Sequence, residues 1–525
     1  MTMTGWLILF LIVQVIHFLG TWKLYVKAGR KAWEALVPIY NAIVLMKIIK
    51  RPSWWIILLF IPIINLLMFP VVWVETVRSF GKYSTASSFL AVLSLGFYNF
   101  YLNYIEDVKY VEDRSLKSRT ELGEWVSSIV FAIIAATLVH TYFMQPYTIP
   151  TSSLEKSLLV GDFLFVSKFH YGARTPMTTV AAPMVHDTIP LLKIKSYLFD
   201  DDVSKKETSW KNKLQLPYFR LPGLQDIKRN EIVVFSWPVD TVQKFFDKSG
   251  IHKYKPIDKK SNYVKRCVGV PGDSLEIKDG YIFINGKQTV LPDRAKPQYM
   301  HKVVANGQLS GSFFKRFNIT EGGNMGDYYI LNLTDELAQK LRKNPMIKSV
   351  EKQLKPKGNY DKRVFPHSTE YAWSEDNYGP IYIPEEGKTV EINSQTLPFY
   401  KRIIEDYEHN NLMVNGNEIY INGELATTYT FKQNYYWLMG DNRQNSEDAR
   451  FWGYVPFDHV VGKPVFIWMS WDSNAEGIQN KIRWERVFTT VHGDGEPVSY
   501  LYHFLGALAL WFGYSSYRKR KKKEA

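Results

Sequence analysis

Three short segments of the chain concentrate side chains whose types and spacing could do chemistry. Residues 148–172 include Ser153, one of two adjacent serines, and residues 262–273 place Lys265 within an apolar strand pattern. Residues 439–456 combine acidic, amide and basic groups around a Gly-Asp-Asn turn. A serine hydroxyl is a poor nucleophile without a base, and a neutral lysine can act as that base, so the pattern fits hydrolysis through a serine nucleophile.

Lys265 can serve as a base only if the fold buries it. The two-residue alternation of a β-strand places Lys265 on the same face as Tyr263 and Cys267, and places Val264 and Arg266 on the other face. A lysine with the ordinary pKa of about 10.4 is only ~0.04% neutral at pH 7. Burial that lowers this pKa to ~8 would make roughly 10% of the lysine neutral, which is enough for a general base.

Each segment also has a structural interpretation that it leaves open on its own. Adjacent serines such as Ser152 and Ser153 are common at helix caps and turns, and a lysine can guard an exposed strand edge. Cys267, the single cysteine of the chain, cannot form an intramolecular disulfide and fits a small buried strand residue better than a nucleophile. His140 and His170 have no partner at metal-ligand spacing, so we expect no metal and no cofactor.

Taken together, the three segments resemble the sequence boxes of the bacterial type I signal peptidases. Residues 440–450 read GDNRQNSEDAR and residues 265–273 read KRCVGVPGD, both without a mismatch to the family pattern. RNEIVVF at 229–235 is similar to a weaker box. The resemblance extends over roughly three stretches of the chain, namely 125–175, 228–287 and 412–475.

The first box departs from the family pattern at four positions. Thr151 replaces a serine, Ser152 replaces a small residue, Leu154 replaces a methionine and Lys156 replaces a proline. Leucine for methionine conserves volume and should matter little. Because Ser152 is adjacent to the residue at the family's nucleophile position, Ser153, it is a rival nucleophile.

The resemblance implies a role for each site residue. Ser153 would be the nucleophile and Lys265 the general base. Thr151 would form the oxyanion hole with the backbone N–H of Ser153, and Ser446 would orient Lys265. The residues expected to support the site structurally are Asp441, Asp448 and Arg450. The residues expected to bind substrate are Ile149, Pro150, Leu154, Leu158, Tyr263 and Val264.

Apolar runs predict that the chain crosses a membrane several times. One apolar segment, 36–49, is shorter than a membrane span and carries Lys47, so it is expected to be interfacial or re-entrant. Basic residues follow the first run, and RKRKKK (518–523) follows the last, so the positive-inside rule places both flanks in the cytoplasm and residues 146–497 outside. The five predicted spans are 5–22, 54–74, 84–105, 125–145 and 498–517, and Pro62 and Pro70 are expected to kink the second.

We therefore expect a multi-pass α-helical membrane region joined to a mainly β extracytoplasmic catalytic domain of signal-peptidase-like fold, with a polar α+β insertion. Strand signals recur at 231–237, 263–270, 274–286, 417–423 and 459–471, two Asn-Gly turns indicate similar hairpins, and a helix is expected near 335–343. The expected domains are an N-terminal membrane region with about three spans and a cytoplasmic loop (1–124), a span (125–145), a peptidase domain (146–490) with insertions at about 176–225 and 288–400, a C-terminal span (498–517) and a basic cytoplasmic tail (518–525).

The resemblance implies a membrane-bound serine endopeptidase that removes signal peptides from secretory preproteins after a small residue. It implies a place in the bacterial plasma membrane, with the catalytic domain on the periplasmic side, and contacts with the secretion machinery. The net charge of +14 could also suit nucleic acid, but the densest basic cluster flanks an apolar run, so no nucleic-acid binding is expected. The alternatives are a non-catalytic preprotein-binding protein of the same fold, a self-cleaving repressor protease, and a transporter with a regulatory loop.

Overall fold

The computed structural model describes residues 2–117, 120–242, 249–493 and 495–524. It divides into two compact units. The first contains Met1–Phe143, Arg174–Arg220 and Thr241–Lys259, and the second contains Met144–Ala173, Leu221–Asp240 and Lys260–Ala525. The predicted insertion at 176–225 thus largely coincides with a segment that groups with the N-terminal unit.

The first unit is helical, with an apolar core that includes Leu24, Val44 and Val77. Its polar core centres on Glu75, whose buried carboxylate accepts hydrogen bonds from Arg51 and Arg114. Its helices are α1 (Met3–Lys27), α2 (Tyr40–Ile48), α3 (Trp55–Phe60), α4 (Ile64–Ser79), α5 (Thr85–Leu93), α6 (Tyr98–Tyr104), α7 (Glu121–Leu138) and the short α8 (Trp210–Lys213).

Two helical segments of this unit, Met3–Lys27 and Glu121–Phe143, are long and apolar enough to cross a membrane. They correspond to the first and fourth predicted spans. Helices α5 and α6 lie within the third predicted span and are separated by a bend of 113°. The two helices count as a further membrane crossing only if together they form a single span. The second predicted span is divided between α3 and α4 with a break around Pro62, as expected, whereas Pro70 lies inside α4 without interrupting it.

The second unit is mainly β and is built on one large sheet. The sheet has the strand order β1-β2-β20-β3-β4-β18-β19, with β21 beside β20, and all its neighbouring strands are antiparallel. The strands expected at 231–237, 263–270 and 459–471 are therefore confirmed, and all three lie in this sheet. Its members are β1 (Met144–Thr148), β2 (Asp162–Ser167), β3 (Ile232–Ser236), β4 (Asn262–Gly269), β18 (Tyr435–Met439), β19 (Val455–Pro456), β20 (Val460–Ser470) and β21 (Thr489–Thr490).

The unit also contains smaller sheets, with orders β12-β5-β6-β7, β11-β8-β10-β9, β14-β15-β16 and β13-β17. Their bounds are β5 (Ser274–Lys278), β6 (Tyr281–Ile284), β7 (Lys287–Gln288), β8 (Gln298–Ala305), β9 (Gly322–Asn324), β10 (Tyr329–Thr334), β11 (Ile347–Lys352), β12 (Tyr378–Tyr382), β13 (Thr389–Glu391), β14 (Leu412–Asn415), β15 (Glu418–Ile421), β16 (Glu424–Leu425) and β17 (Thr428–Thr430).

Both predicted Asn-Gly turns are present. Asn285 and Gly286 join β6 to β7, and Asn422 and Gly423 join β15 to β16, with positive φ at all four residues. Asparagine and glycine adopt this left-handed conformation at little cost, which matches the turn to the right-handed twist of the two strands. The local sequence was therefore sufficient to predict these hairpins.

The segment expected to be a polar insertion contains its own sheet and hydrophobic core, which includes Val303, Leu331 and Leu341. The predicted helix is confirmed as α10 (Asp335–Arg342), and the Thr334 side chain caps it by accepting a hydrogen bond from the Leu337 N–H. The other helices of the unit are α9 (Gly311–Arg316), α11 (Leu397–Arg402), α12 (Ala449–Trp452), α13 (Ile478–Lys481) and α14 (Leu501–Glu524). Helix α14 covers the fifth predicted span, but it does not meet the length and composition criteria for a membrane crossing.

Candidate active site

Ser153 lies in a single 3₁₀ turn, Ser152–Leu154, between β1 and β2. The turn is anchored by Leu154, whose side chain is 1% exposed, and by the loop that follows. There, Gly161 has a φ of +89°, and a Cβ atom at this position would lie 1.9 Å from the carbonyl oxygen of Trp471. Only glycine fits such a close approach of two backbones, which explains the glycine eight positions after Ser153.

The aspartate that follows this glycine ties the turn to the large sheet. The Asp162 carboxylate accepts a hydrogen bond from Ser470 Oγ at 2.7 Å and two from Arg486, at 3.0 and 2.5 Å. Asp162 is the first residue of β2, and its carboxylate also accepts a hydrogen bond from the Leu159 N–H at 2.8 Å. The Gly-Asp pair therefore holds the far end of the nucleophile segment in place.

Lys265 lies on β4, and its Nζ donates a hydrogen bond to Ser153 Oγ at 2.6 Å. The lysine side chain is nearly inaccessible, since the residue is only 3% exposed. The sequence alone left open whether Lys265 is buried or on an exposed strand edge, and the structure shows the buried placement. Tyr263 and Cys267 pack in one hydrophobic cluster and Val264 in another, as the predicted alternation requires.

Burial lowers the pKa of Lys265 to about 8, against the opposing negative charges of Asp448 and Glu447. Desolvation dominates because the ammonium loses its hydration without gaining a full ion pair. A lysine with this pKa is partly neutral near neutral pH and can accept a proton from a serine hydroxyl. The geometry and the electrostatics of the Ser153–Lys265 pair are thus both suited to nucleophilic catalysis.

The rival serine has a different environment. Ser152 Oγ accepts a hydrogen bond from Asn445 Nδ2 at 3.1 Å, whereas the lysine bonds Ser153. An amide nitrogen cannot remove a proton, so this contact gives Ser152 no base. The structure thus distinguishes the two serines, which the sequence did not.

A buried ion pair is formed by the residue that follows Lys265 on β4. Arg266 follows Lys265 on β4 and donates two hydrogen bonds to Asp441, at 2.8 and 2.5 Å. Ser157 Oγ adds a third, at 2.5 Å. Burial would raise the pKa of Asp441, but the charge of Arg266 and these hydrogen bonds outweigh it and lower the pKa. The carboxylate therefore stays ionised, and it links β4 to the nucleophile segment.

A second buried pair joins Asp448 to Arg450. Arg450 donates to both carboxylate oxygens at 2.9 Å, and the Gly440 N–H donates to Asp448 at 3.0 Å. Burial opposes ionisation of Asp448, but the Arg450 charge and hydrogen bonds lower its pKa overall. Gly440 must lack a side chain because a Cβ there would lie 2.2 Å from Ser446 Oγ and 2.6 Å from the Ser153 carbonyl oxygen.

The remaining expected site residues surround this centre in different ways. Ser446 Oγ is buried and has no hydrogen-bond partner in the part of the chain that the structure describes, so no bond to Lys265 is present. Thr151 precedes the 3₁₀ turn in an extended conformation, and its side chain does not cap the turn.

Among the expected substrate-binding residues, three belong to one buried hydrophobic cluster, namely Ile149, Leu154 and Leu158. Val264 is half-buried against that cluster and Tyr263 is half-buried in the neighbouring one, while Pro150 is exposed. The expected apolar patch is therefore mostly the core that supports the site, and its accessible part is smaller than the list of residues suggested.

Sequence reasoning missed the amide network that holds the nucleophile. The backbone N–H of Asn442 donates to the Ser153 carbonyl at 3.0 Å, and its Nδ2 donates to the Ser152 carbonyl at 3.1 Å and to Glu321 at 2.5 Å. Asn332 donates to both Asn442 and Glu321. The asparagine of the Gly-Asp-Asn box was a signal for Asn442, but nothing in the local pattern around Glu321 or Asn332 indicated contact with the site.

Metal chemistry has no evident ligand set here. Within residues 2–117, 120–242, 249–493 and 495–524, no group of three or more His, Cys, Asp or Glu side chains is placed to hold a metal ion. His170, considered above, instead shares a hydrogen bond with Ser167 Oγ at 2.5 Å.

Substitution of Asp441 by asparagine should destabilise the protein strongly. It leaves the Arg266 guanidinium buried without a counter-ion, which typically costs about 3–5 kcal/mol. We expect a large fall in the free energy of unfolding in denaturant titrations. The double variant Arg266→Met with Asp441→Leu, which buries no charge, should recover much of this loss. If Asp441→Asn were as stable as wild type, the Arg266–Asp441 ion pair would not be a support of the site.

Comparison with known proteins identifies two regions. Residues 122–332 and 382–471, more than half of the chain, match the family described as "Signal peptidase, peptidase S26". This match also includes 176–227 and 288–332, which the sequence motifs alone left outside the resemblance. Residues 33–113 match a family of unknown function, DUF5684.

Several curated relatives are similar over most of their length. Signal peptidase I of Buchnera aphidicola subsp. Acyrthosiphon pisum is 23% identical over 74% of this chain and 93% of its own. Signal peptidase I of Helicobacter pylori (strain J99) is 26% identical over 70% and 92%, and that of Haemophilus influenzae is 22% identical over 72% and 79%. With the family match covering more than half of its length, this chain belongs to the signal peptidase family, peptidase S26.

Proposed function

We propose that this member of the signal peptidase family removes signal peptides from preproteins with Ser153 as its nucleophile and Lys265 as its general base. Membership of the family makes the chain a serine endopeptidase. The observation that carries the assignment of residues is the 2.6 Å hydrogen bond between Lys265 Nζ and Ser153 Oγ, formed where the lysine is 3% exposed. Ser152, the other serine of the catalytic turn, contacts an amide side chain instead of a base.

The reaction follows from this geometry. Neutral Lys265 takes the proton of Ser153 as Oγ attacks the scissile carbonyl, and the resulting ammonium donates that proton to the leaving amine. The ester formed at Ser153 is then hydrolysed by water, with Lys265 again acting as the base. Because the lysine is buried, its positive charge costs free energy between these steps, which favours rapid return of the proton.

Thr151 and Ser446 have proposed supporting roles. Thr151 would complete an oxyanion hole with the backbone N–H of Ser153, since it immediately precedes the catalytic turn. Ser446 would donate a hydrogen bond to Lys265 when the amine is neutral and accept one when it is an ammonium. The buried, unpartnered Ser446 hydroxyl beside Gly440 supports this role. Asp441, Asp448 and Arg450 would keep the surrounding loops in place through the two buried ion pairs.

The substrate would bind as an extended segment with a small side chain before the cleaved bond. Half-buried Val264 and Tyr263, together with exposed Pro150, are the accessible part of the expected apolar patch. A shallow pocket of this kind excludes larger side chains, and one methylene is typically worth about 1–3 kcal/mol in such discrimination. Contacts with the secretion machinery are proposed as well, because the substrates are exported preproteins.

For the membrane arrangement, we propose a multi-pass protein of the bacterial plasma membrane with its peptidase domain on the periplasmic side. The apolar helices Met3–Lys27 and Glu121–Phe143 support membrane association, and the basic residues after the first and last apolar runs support the orientation. We further propose that the polar segment 288–400 contains an insertion in the peptidase domain, which the break in the family match at 333–381 supports.

The proposed dyad is tested by cleavage of a preprotein with an Ala-x-Ala site, with the purified full-length enzyme in detergent and mass spectrometry of the products. We expect Ser153→Ala and Lys265→Ala to reduce the rate by about 1000-fold or more, since they remove the nucleophile and its base. Ser152→Ala is the matched control and should retain activity. Loss of activity in Ser152→Ala alone would reassign the nucleophile to Ser152.

The pH profile should report the titration of Lys265. Activity requires the neutral amine, so kcat/KM should rise with pH and level off above about pH 8, the pKa of this lysine. The negative charge of Glu447 raises that pKa, so Glu447→Gln should move the rise to lower pH by roughly half a unit. Glu424→Gln, on an exposed distant hairpin, should leave the profile unchanged. A shift to higher pH in Glu447→Gln would contradict Lys265 as the base.

The proposed orientation is tested with single cysteines introduced at exposed positions and a membrane-impermeant thiol reagent on intact cells. Native Cys267 is buried, and its replacement by alanine removes any background. Lys357→Cys in the peptidase domain should be labelled, whereas Lys31→Cys and Lys519→Cys should react only after the membrane is opened. Labelling of Lys31→Cys in intact cells would reverse the proposed orientation.

A further inference from the structure

A cavity of about 350 Å³ lies in the peptidase unit, and neither Ser153 nor Lys265 is among its lining residues. Its walls come from β6, the segment 288–297, the start of β8, the beginning of α10 and the Gly-Asp-Asn-Arg turn. Ile282, Ala295 and Tyr299 form buried parts of the wall, while Arg443 contributes from the turn. The cavity is large enough for one or two amino-acid residues, and the mechanism makes no use of it.

Arg443 is the most unusual group in this wall. It is 2% exposed, and its Nε and Nη1 are buried without a hydrogen-bond partner in the described part of the chain. Its backbone is held firmly, because its N–H donates to the Gln298 carbonyl at 3.0 Å and its own carbonyl accepts from Arg450 at 2.5 Å. A guanidinium stays charged at any physiological pH, and although the nearby Asp441 charge interacts with it, leaving two of its nitrogens buried without a hydrogen-bond partner is costly. The cost would be recovered if an acceptor occupied the cavity.

The charges around Arg443 show what kind of acceptor the cavity would take. Lys352 is half-buried and does not itself line the cavity, but its ammonium lies 3.9 and 3.2 Å from the ring centres of Tyr281 and Tyr299, which do. Burial, with a further contribution from the charge of Arg443, lowers the pKa of Lys352. Asp335 is already used, since it accepts from Tyr281 at 2.8 Å and pairs with Lys352 at 3.6 Å. The inner end of the cavity therefore favours an anion.

The outer end has the opposite character. Asp293 and Glu336 also line the cavity, but both are exposed. Two carboxylates near the opening disfavour a compact dianion such as phosphate and tolerate a monoanion whose remaining atoms are neutral or cationic. The apolar wall residues Ile282, Ala295 and Leu291 suit the aliphatic part of such a ligand.

We propose that this cavity is a binding site for the carboxylate of a peptide, with the carboxylate accepting hydrogen bonds from the Arg443 guanidinium. A hydrogen bond from a guanidinium to a carboxylate is charge-assisted, so it is shorter and stronger than one between neutral groups. The carboxylate could be a chain terminus or an acidic side chain, since the two share the same chemistry. Arg443 lies next to Asn442, which binds the nucleophile turn, so the site adjoins the catalytic centre without being part of it.

The test uses purified full-length protein in detergent and saturation-transfer NMR at constant ionic strength. Three matched probes separate the sources of the carboxylate, namely N-acetylalanine, with a terminal carboxylate, N-acetylaspartyl methylamide, with a side-chain carboxylate, and N-acetylalanine methylamide, with none. We expect saturable binding of at least one carboxylate probe and none of the neutral amide. Inorganic phosphate should compete poorly.

Two variants locate the binding. Arg443→Gln removes the charge and should weaken binding by about tenfold or more, as expected for the loss of hydrogen bonds from a charged donor. Ala295→Leu fills the cavity while leaving Arg443 in place and should also abolish binding, so a folding defect in the first variant does not decide the result. Binding unchanged in Ala295→Leu, or no saturable binding to wild type, would show that the cavity holds only water and would overturn the proposal.

Discussion

The placement of one cation, the Lys265 ammonium group, beside a serine hydroxyl is the constraint on which the rest of the site depends. Burying a lysine without a full ion pair is unfavourable, so the surrounding structure must be rigid enough to prevent it from reaching water. The site meets this requirement through strand β4, which is hydrogen-bonded on both sides by β3 and β18. The same strand carries Arg266, whose partner Asp441 lies in the Gly-Asp-Asn turn. One strand thus carries both the proposed base, Lys265, and Arg266, which anchors the Gly-Asp-Asn turn.

The Gly-Asp-Asn turn is the second organising feature, because it holds the backbone of Ser153, the proposed nucleophile. Asn442 bonds the carbonyls of both Ser152 and Ser153, and Gly440 permits the close approach of Ser446 to the same place. These contacts specify where Ser153 lies even though the 3₁₀ turn itself has only three residues. Glu321 accepts hydrogen bonds from Asn442 and Asn445, so the polar segment that follows the Lys-Arg box also helps to position the turn that carries Ser152 and Ser153.

The N-terminal unit combines apolar helices with buried polar groups. Glu75 is bonded by Arg51 and Arg114, and Asn103 donates to the Leu19 carbonyl and accepts from the Leu24 N–H of α1. Helices in an apolar environment gain specificity from such polar contacts. The region that matches a family of unknown function, 33–113, therefore shares one core with helix α1, to which Leu24 and Tyr25 belong.

The sequence by itself determined the family, three strands of the large sheet (β3, β4 and β20), the two Asn-Gly hairpins and helix α10, because each depends on motifs or on residues close together in the chain. Only the tertiary structure decided that Lys265 is buried, that Ser153 and not Ser152 contacts it, that Ile149, Leu154 and Leu158 are core residues, and that Glu321 and Asn332 reach the site. Those facts depend on side chains brought together from positions more than a hundred residues apart, such as Ser153 and Lys265. Periodicity describes one element at a time, whereas burial and partner choice are properties of the packed assembly of elements.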